Sequence, residues 1–450
     1  MIGLLFTVAT FAIVIYALLL TISSQFDFTF RQVAHDQALT IAEAGVNYFK
    51  WQLAHAPEDY TSNTEEPIDY RDPQGAVIGQ YKLNVTPPAE GSSVVTIAAT
   101  AWTNEFPNLK RTVTAQYGKR SLASFAFLSN SSLWFGNGTT VNGPIFSNNG
   151  IRMDGVNTST IQSAKETYTC GVETGCWPNP AEKPGVWGNG GPKELWSFPV
   201  APVDFTSVSV NFSQMRTVAQ TDGLYLPASE AAGYHLVFVN NGTVQVYKVL
   251  STSSPKRGYT PEEGCQNLYQ KITTEQLLGT YSLVDIEMIF AEDTLWVDGV
   301  VKGRVMVAAA RFPLGTFETN VWITNNLTYL TKDVTNTLGL VAQNDIYFGL
   351  EIPEDFEVNA AMVAQEGKVV RHHYNYQGCS HSNQAQKLSL TIFGSIISKE
   401  KSYWNFGQGP GQPASGFVKR VVIYDQDLAF TPPPFFPTLP GFEFISWNEE

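Results

Sequence analysis

The chain has 450 residues, of which 43% are hydrophobic, 13% are aromatic and only 15% are charged. That hydrophobic share excludes wholesale disorder, and the 36 Gly and 25 Pro favour a chain rich in strands and turns. Lys and Arg number 28 against 41 Asp and Glu, which gives a net charge of −13. No basic cluster offsets this charge, so we expect no nucleic-acid partner, because such a partner requires a basic face.

The first 26 residues carry no charge and are almost wholly apolar. A helix of roughly 22 such residues is about 33 Å long, which matches the hydrocarbon core of a bilayer. A secretory signal peptide would need an early basic residue and a shorter apolar run, whereas the first basic residue here is Arg31. We predict a membrane-spanning assembly helix that starts as though a leader had been removed; an ordinary membrane anchor is the alternative. The residues assigned to its surface are Met1, Leu4, Leu5, Phe6, Val8, Phe11, Ile15, Leu18, Leu19 and Ile22.

The helical pattern continues past the apolar run. From Arg31 to His55 the only helix-weakening residue is Gly45, and Pro57 ends the pattern. Apolar residues recur here at i, i+3, i+4 and i+7, which predicts one stripe on an otherwise polar helix. We therefore expect a single helix over residues 1–56 whose second half packs on the chain's own folded head. The residues of this stripe are Leu39, Ala42, Val46, Phe49 and Leu53.

Residues 57–120 have the composition of a loop followed by a small sheet. Residues 57–80 are polar and rich in turn-forming residues, so we predict a loop there. Alternating or β-branched runs follow at Tyr81–Val85, Val94–Thr103 and Lys110–Tyr117. We predict an antiparallel meander that covers the helix stripe and ends near Gly118–Arg120.

Short apolar phrases recur in the rest of the chain at a loosely constant spacing of about 18 to 25 residues. Short strands with Asn or Gly at their corners favour a parallel β-solenoid, although a β-sandwich with coincidental repeats remains open. The fold class we predict is α+β, mostly β. We expect a β-rich region over 121–290, with a hairpin inserted within 223–249, and a solenoid-like region over 291–450 with a Pro-rich tail. The recurring phrases are Leu133–Asn137, Ile151–Gly155, Leu295–Gly299, Val305–Ala308, Val321–Asn325, Leu340–Asn344, Ile346–Gly349, Met362–Gly367 and Thr391–Ser395.

The order of these parts resembles a type IV pilin. An apolar half-helix, an amphipathic continuation with Ala38–Gly45, a loop and an antiparallel sheet follow one another in that family. The chain is similar in particular to the large PilX-like pilin proteins of ultra-small bacteria, and this resemblance runs along most of the chain. Besides the Glu-Ala-Gly segment, it is carried by Trp134–Gly136, Ser163–Cys170 and Pro432–Pro437.

The resemblance implies a subunit made as a membrane prepilin, trimmed by a prepilin peptidase and polymerised with copies of itself by a pilus assembly machinery. Met1 would then be the mature, methylated N-terminus. One departure affects this expectation: typical major pilins have a glutamate at the fifth position, thought to neutralise a neighbour's N-terminal amine, and this chain has Leu5. That departure raises the prospect of a minor, anchoring role.

Four cysteines are candidates for disulfides in an exported domain. Cys170 and Cys176 lie in a loop rich in Gly, Pro and Asn, which a short disulfide would restrain, and Cys265 with Cys379 follows by elimination. His372, His373, Cys379 and His381 form the only Cys/His cluster in the sequence. Their spacing fits no zinc motif, so we expect solvated loop histidines, no metal and no cofactor.

An enzymatic alternative would need clustered carboxylates of the kind that cleave polysaccharides on parallel β-helices. The sequence offers no nucleophile, phosphate-loop or metalloprotease motif, so we expect no enzyme. The carboxylates considered are Asp293, Asp298, Glu351, Glu354, Asp355 and Glu357. Four tryptophans could form a sugar-binding patch, but we expect them instead to be buried and to anchor loops; they are Trp177, Trp187, Trp196 and Trp404. Sequons that permit glycosylation occur at Asn84, Asn130, Asn137, Asn157, Asn211, Asn241 and Asn326.

The sequence therefore favours a structural subunit of an extracellular type IV pilus-like filament at the cell surface. The chain would be inserted in the membrane before assembly, and its body would meet a host-cell or surface ligand. The first alternative is a minor pilin or tip adhesin of a filament built from another subunit. The second is a membrane-tethered carbohydrate-active enzyme.

Overall fold

The computed structural model describes residues 2–61, 66–89, 91–205, 211–407, 413–439 and 441–450. The chain divides into two compact units, Met1–Arg120 together with Pro440–Glu450, and Ser121–Leu439. The first unit contains a long helix and an antiparallel sheet. We call the sheet, with the part of the helix packed on it, the head. The second, which we call the body, is built mainly from parallel strands. The α+β, mostly β fold class is confirmed.

The long helix runs without a break over Ile2–His55, a span of 54 residues. At 1.5 Å per residue it is about 80 Å long. It ends two residues before Pro57, whose ring excludes a continued helix. The single helix predicted from the sequence is confirmed.

The head sheet is antiparallel throughout, and the chain returns to it at its C-terminal end. The predicted loop over 57–80 is wrong in its second half, because Ile68 and Tyr70 alternate toward the core and add an edge strand. The C-terminal strand pairs with Arg111–Gly118, so residues 443–449 do not belong to the predicted solenoid-like region. In spatial order the strands are Ile68–Arg71, Val77–Thr86, Val94–Thr103, Arg111–Gly118 and Glu443–Glu449.

Gly45 allows the helix and the head sheet to approach closely. A Cβ atom at this position would lie 2.8 Å from the ring of Tyr81 and 3.2 Å from Cβ of Ala99. Any larger residue would push the helix away from the sheet. The Glu-Ala-Gly segment singled out in the sequence therefore lies at a close contact between the helix and the sheet.

The body consists of many short strands joined by turns. Four 3₁₀ turns and one short helix, Phe212–Asp222, accompany these strands among the described residues; the turns are Leu122–Ser124, Val172–Thr174, Lys193–Leu195 and Gln426–Ala429. The strands are Phe127–Ser129, Leu133–Phe135, Thr139–Asn142, Ile145–Ser147, Ile151–Met153, Val156–Asn157, Ile161–Ser163, Thr167–Cys170, Ala181–Pro184, Val186–Trp187, Trp196–Ser197, Leu224–Leu226, Gly233–Val239, Thr243–Thr252, Lys256–Thr260, Gly264–Leu268, Ile272–Ser282, Met288–Ala291, Leu295–Val301, Arg304–Ala309, Val321–Ile323, Leu327–Tyr329, Thr337–Ala342, Ile346–Phe348, Asp355–Ala364, Val369–Val370, Gln386–Ser398 and Gly416–Tyr424.

The recurring phrases of the sequence stack on one another in parallel register. Leu295 lies opposite Val321, Val321 opposite Ile346, and Ile346 opposite Val369. A second set of recurring segments forms a separate column of paired strands. In this column Val307 lies opposite Leu340, Leu340 opposite Met362, and Met362 opposite Ile396. This parallel stacking is that of a β-solenoid, so the sandwich alternative is wrong.

The stack does not follow chain order from end to end. After the long strand Gln386–Ser398, the next rung is Phe127–Ser129, which is followed by Ile145–Ser147 and Ile161–Ser163. Strands from both sides of residue 290 therefore share one hydrophobic core. The boundary expected at that residue does not divide the body.

A hairpin and a helix extend this stack. Gly233–Val239 pairs with Thr243–Thr252 across a tight turn, and its first strand also pairs in parallel with Leu295–Val301. The helix Phe212–Asp222 begins at Asn211, whose side chain accepts a hydrogen bond from the Gln214 amide at 3.0 Å. Such a cap satisfies one of the amides that a helix N-terminus leaves free.

Candidate assembly surface on the N-terminal helix

The first half of the long helix presents apolar side chains on every side. The predicted surface residues that the structure describes are between 47% and 72% exposed, far more than a globular core allows. Met1 and the side chain of Leu5 lie outside the described residues. The helix is long and apolar enough to cross a membrane, and none of its most hydrophobic window is buried within the chain. The residues described are Leu4, Phe6, Val8, Phe11, Ile15, Leu18, Leu19 and Ile22.

The threonine hydroxyl groups within this apolar half are satisfied by the helix itself. Thr7 donates to the carbonyl of Leu4 at 2.9 Å, and Thr10 to that of Thr7 at 2.9 Å. Thr21 donates to the carbonyl of Ala17 at 2.8 Å. A polar group without water must find a partner inside the protein. The threonines therefore do not oppose transfer of this half into lipid or into a packed helical bundle.

The polar boundary of this half lies near Asp27 and Arg31, the first charged residues of the chain. Three exposed phenylalanines surround this boundary, and the rings of Phe26 and Phe30 stack with their centroids 6.3 Å apart. The stretch of exposed apolar side chains continues to Val33. It is therefore longer than the roughly 20 residues that a bilayer core requires.

The second half of the helix packs on the head sheet. Ala34 and Ala38 are the first residues to be buried, and the stripe predicted from the sequence follows. Ala42, Val46, Phe49 and Leu53 belong to the head core, and Leu39 is partly buried against it. One face of the second half of the helix is thus buried within the chain, whereas the first half has no packing partner among the described residues.

The cysteines form two disulfides, Cys170–Cys176 and Cys265–Cys379, the pairs that the sequence singled out. The short bridge closes the loop that contains the 3₁₀ turn Val172–Thr174. The long bridge connects the strand Gly264–Leu268 to a segment 114 residues later. Both lie in the body.

The Cys/His cluster does not form a metal site. Among the described residues, no group of three His, Cys, Asp or Glu is arranged to hold a metal ion. The prediction of solvated histidines is wrong for His372, which is fully buried and is bonded through Nε2 to Oε1 of Gln266 at 2.8 Å. Burial lowers the pKa of His372 to about 4. His373 is half-buried and His381 is exposed.

The carboxylates considered for catalysis each have a separate partner. Glu354 pairs with Lys387 at 2.9 Å, and Glu357 pairs with Lys332 at the same distance. Such pairs are typical of neighbouring rungs that share a solvent-facing side. The remaining partners are Ser229 for Asp293, His235 for Asp298, Lys271 for Glu351 and Ser389 for Asp355.

The sequons differ in accessibility. Asn157 is only 1% exposed, and its amide donates to the carbonyl of Ser159 at 2.8 Å. Glycosylation there is contradicted, because a buried amide leaves no room for a glycan. Asn326 is half-buried and accepts from the Glu357 amide. The remaining sequon asparagines are exposed, namely Asn84, Asn130, Asn137, Asn211 and Asn241.

The four tryptophans of the predicted patch do not share one environment. Trp404 is buried in the body core between Phe127 and Phe348, as an anchor would be. Trp177 is 78% exposed, directly after the short disulfide. Trp187 and Trp196 are half-buried. Trp134, which was not among these four tryptophans, stacks on the guanidinium group of Arg152 at 4.5 Å.

The chain resembles known proteins in structure rather than in sequence. No family model matches the chain. No curated protein matches it either. Among solved structures, the chain is similar to the competence-associated pilin ComZ from Thermus thermophilus, with 15% identity over 93% of this chain and 98% of that chain and a TM-score of 0.31.

Proposed function

We propose that this protein is a structural subunit of a pilin-type extracellular filament. It polymerises with copies of itself through the exposed apolar half of the helix Ile2–His55. The head holds the other half of this helix, and the body forms the surface that meets a host cell or another substratum. The observation that carries the proposal is the contrast along one helix, from exposed apolar side chains in its first half to a stripe buried against the head in its second.

The driving force is the burial of apolar area. Full burial of one Leu, Ile or Phe side chain contributes about 1.5–3 kcal/mol. Eight such described positions, together with their exposed neighbours, give a gross contribution on the order of tens of kcal/mol before the ordering costs of association. Helix-to-helix packing of several copies buries this area without any ligand.

The same surface supports a location in the membrane before assembly. Its length and its self-satisfied threonines suit a bilayer, which would hold the chain until the assembly machinery extracts it. Processing by a prepilin peptidase and a methylated Met1 are part of this proposal. The filament is then located outside the cell, and no nucleic acid takes part.

A minor pilin or tip adhesin is the second candidate. Leu5 favours it, since a carboxylate at that position would offset the buried N-terminal amine of a neighbour, and an uncompensated buried charge is costly. The two candidates differ in stoichiometry. Quantitative mass spectrometry of purified filaments would find this chain as the majority protein in the first case and as a trace in the second.

The decisive test is a charge placed in the exposed half of the helix. Phe11 is 72% exposed, and a Phe11→Asp variant should lose filaments seen by electron microscopy of cells that carry the assembly machinery. A single Asp at a helix centre costs about 2.5–3.5 kcal/mol in a membrane. Because that cost can also prevent insertion into the membrane, a second variant, Phe11→Ala with Ile15→Ala, keeps the helix apolar. It should insert normally but form fewer and shorter filaments, since it removes apolar contact area.

Val284→Asp is the matched control. Val284 lies on the body and is 90% exposed, so the same change from an apolar to an acidic side chain should leave filaments intact. Normal filaments from both helix variants would contradict the proposal. The membrane content of each variant, measured by immunoblot, separates failed insertion from failed polymerisation.

A further inference from the structure

The body contains a cleft of about 200 Å³ whose walls come from distant parts of the sequence. We call it the inter-loop cleft. Its charged lining consists of three glutamates, Glu173, Glu262 and Glu400, and three lysines, Lys368, Lys399 and Lys401, so its formal charges cancel. Sites for drug-sized ligands usually enclose about 300–1,000 Å³. This cleft is smaller and suits a compact polar molecule.

Three of these groups are already neutralised by partners within the chain. Lys368 is 1% exposed and pairs with Glu263 at 2.8 Å and with Glu400 at 3.0 Å. Burial disfavours its charge, but Asp345, Glu263 and Glu400 outweigh this effect and raise the pKa of Lys368. Lys399 pairs with Glu366. These three groups therefore already have charged partners within the chain.

The other three groups have spare hydrogen-bonding capacity. The Lys401 ammonium donates to the main-chain carbonyl of Glu173, and among the described residues no carboxylate lies within ion-pair distance of it. The Glu262 carboxylate accepts from the Tyr403 hydroxyl, and that of Glu173 accepts from the Gly171 amide at 3.2 Å. An ammonium donor with two carboxylate acceptors beside it matches vicinal hydroxyl groups, each of which both accepts and donates.

Both disulfides hold the walls of this cleft. Cys170–Cys176 closes the loop that contains Glu173. Cys265–Cys379 secures the hairpin whose turn carries Glu262. Walls fixed before binding reduce the ordering cost that a small ligand would otherwise have to offset.

One aromatic side chain, that of Tyr403, adjoins the polar lining. Tyr403 adjoins Glu262, and its ring packs edge-on against Phe406. An apolar ring face beside a few convergent polar groups is the usual composition of a small-molecule site.

We propose that the inter-loop cleft binds a neutral hexose unit of a surface polysaccharide. This inference rests on the proposed function, since it names the surface chemistry that the displayed body would recognise. A strongly anionic ligand would face the carboxylates of Glu173 and Glu262, and a cationic one would face Lys401. A neutral sugar makes charge-assisted hydrogen bonds to both without adding a charge.

The experiment measures sugar binding to the full-length chain in phospholipid nanodiscs, which avoid sugar-based detergents. Isothermal titration with glucose, galactose, mannose and N-acetylglucosamine should find at least one ligand. Lys401→Met should weaken its binding about 10-fold or more, because a charge-assisted hydrogen bond is lost, and Glu262→Gln should weaken it in the same direction. Lys302→Met and Glu318→Gln, changes at exposed positions outside the cleft, should leave the affinity unchanged.

The pH dependence of the sugar affinity provides a second test, because a lysine with only a structural role would not change it. Burial lowers the pKa of Lys401 to about 8, although Glu173 and Glu262 partly oppose this shift. Wild-type affinity should therefore fall between pH 7 and pH 9.5, and that of Lys401→Met should not.

The absence of binding by every neutral sugar would overturn the proposal. So would unchanged affinity in both cleft variants, or tighter binding of glucuronate than of any neutral hexose. Circular dichroism confirms that each variant is folded. Filament formation is scored separately: cleft variants that form filaments but lose sugar binding support the cleft. Wild-type chains that bind sugar without forming filaments contradict only the proposed function.

Discussion

The His372 imidazole lies fully buried beside Glu263, Lys368 and Arg371. Burial lowers its pKa to about 4; the two cations act in the same direction and Glu263 opposes them. In the unfolded chain the same group binds a proton below about pH 6.5. Its contribution to stability is therefore complete above about pH 6.5 and is lost as the pH falls toward 4.

We expect His372 to contribute to the acid sensitivity of the body, together with His373, whose pKa burial also lowers to about 4. The full shift corresponds to about 3 kcal/mol at pH 4. A His372→Gln variant, which keeps a donor toward Gln266 but does not titrate, should lose less Tm than the wild type between pH 6.5 and 4.5. His381→Gln is the control, because that imidazole is exposed. Equal losses of Tm in wild type and His372→Gln would contradict this assignment.

At the scale of elements, the long helix has an exposed half and a half packed on the head, and its sequence predicts both. The first half is apolar on all sides and the second is apolar on one stripe, and both patterns are local. Local periodicity is why the helix and its buried face could be predicted from the sequence. The same holds for the stacked phrases of the body, since each rung carries its own apolar alternation.

Neighbouring residues on the second half of the helix allow a direct test of this packing. Phe49 is fully buried in the head core, whereas Tyr48 is 47% exposed. Phe49→Ala should reduce the free energy of unfolding of the head by about 3–5 kcal/mol, since it leaves a cavity. Tyr48→Ala should change it by about 0.5 kcal/mol or less. Chemical denaturation followed by circular dichroism measures both, and similar losses would show that the helix does not pack as described.

At the scale of the whole molecule, the two disulfides constrain very different lengths of chain. Cys265–Cys379 closes a loop with a sequence separation of 114, against 6 for Cys170–Cys176. Loop-closure entropy predicts that the long bridge stabilises the fold by about 4–5 kcal/mol and the short one by about 2 kcal/mol. Replacing Cys265 and Cys379 by Ser should therefore lower the Tm of the body more than replacing Cys170 and Cys176. A larger effect of the short bridge would contradict this ranking.

The features that the sequence did not reveal are those in which distant segments meet. The inter-loop cleft combines residues such as Glu173, Glu262 and Lys401, and nothing in their local sequence indicates that they are neighbours. Their meeting depends on Phe127–Ser129 stacking on Gln386–Ser398, an order that chain position does not suggest. The buried His372 was missed for the same reason, because its covering residue Gln266 lies on another strand.

The strand Glu443–Glu449 pairs with Arg111–Gly118, although the whole body is synthesised between them. Until residues 443–449 are synthesised, the strand Arg111–Gly118 therefore has a free edge. An open edge invites pairing with foreign strands. A chain that stops before residue 443 would therefore keep this edge open to such pairing.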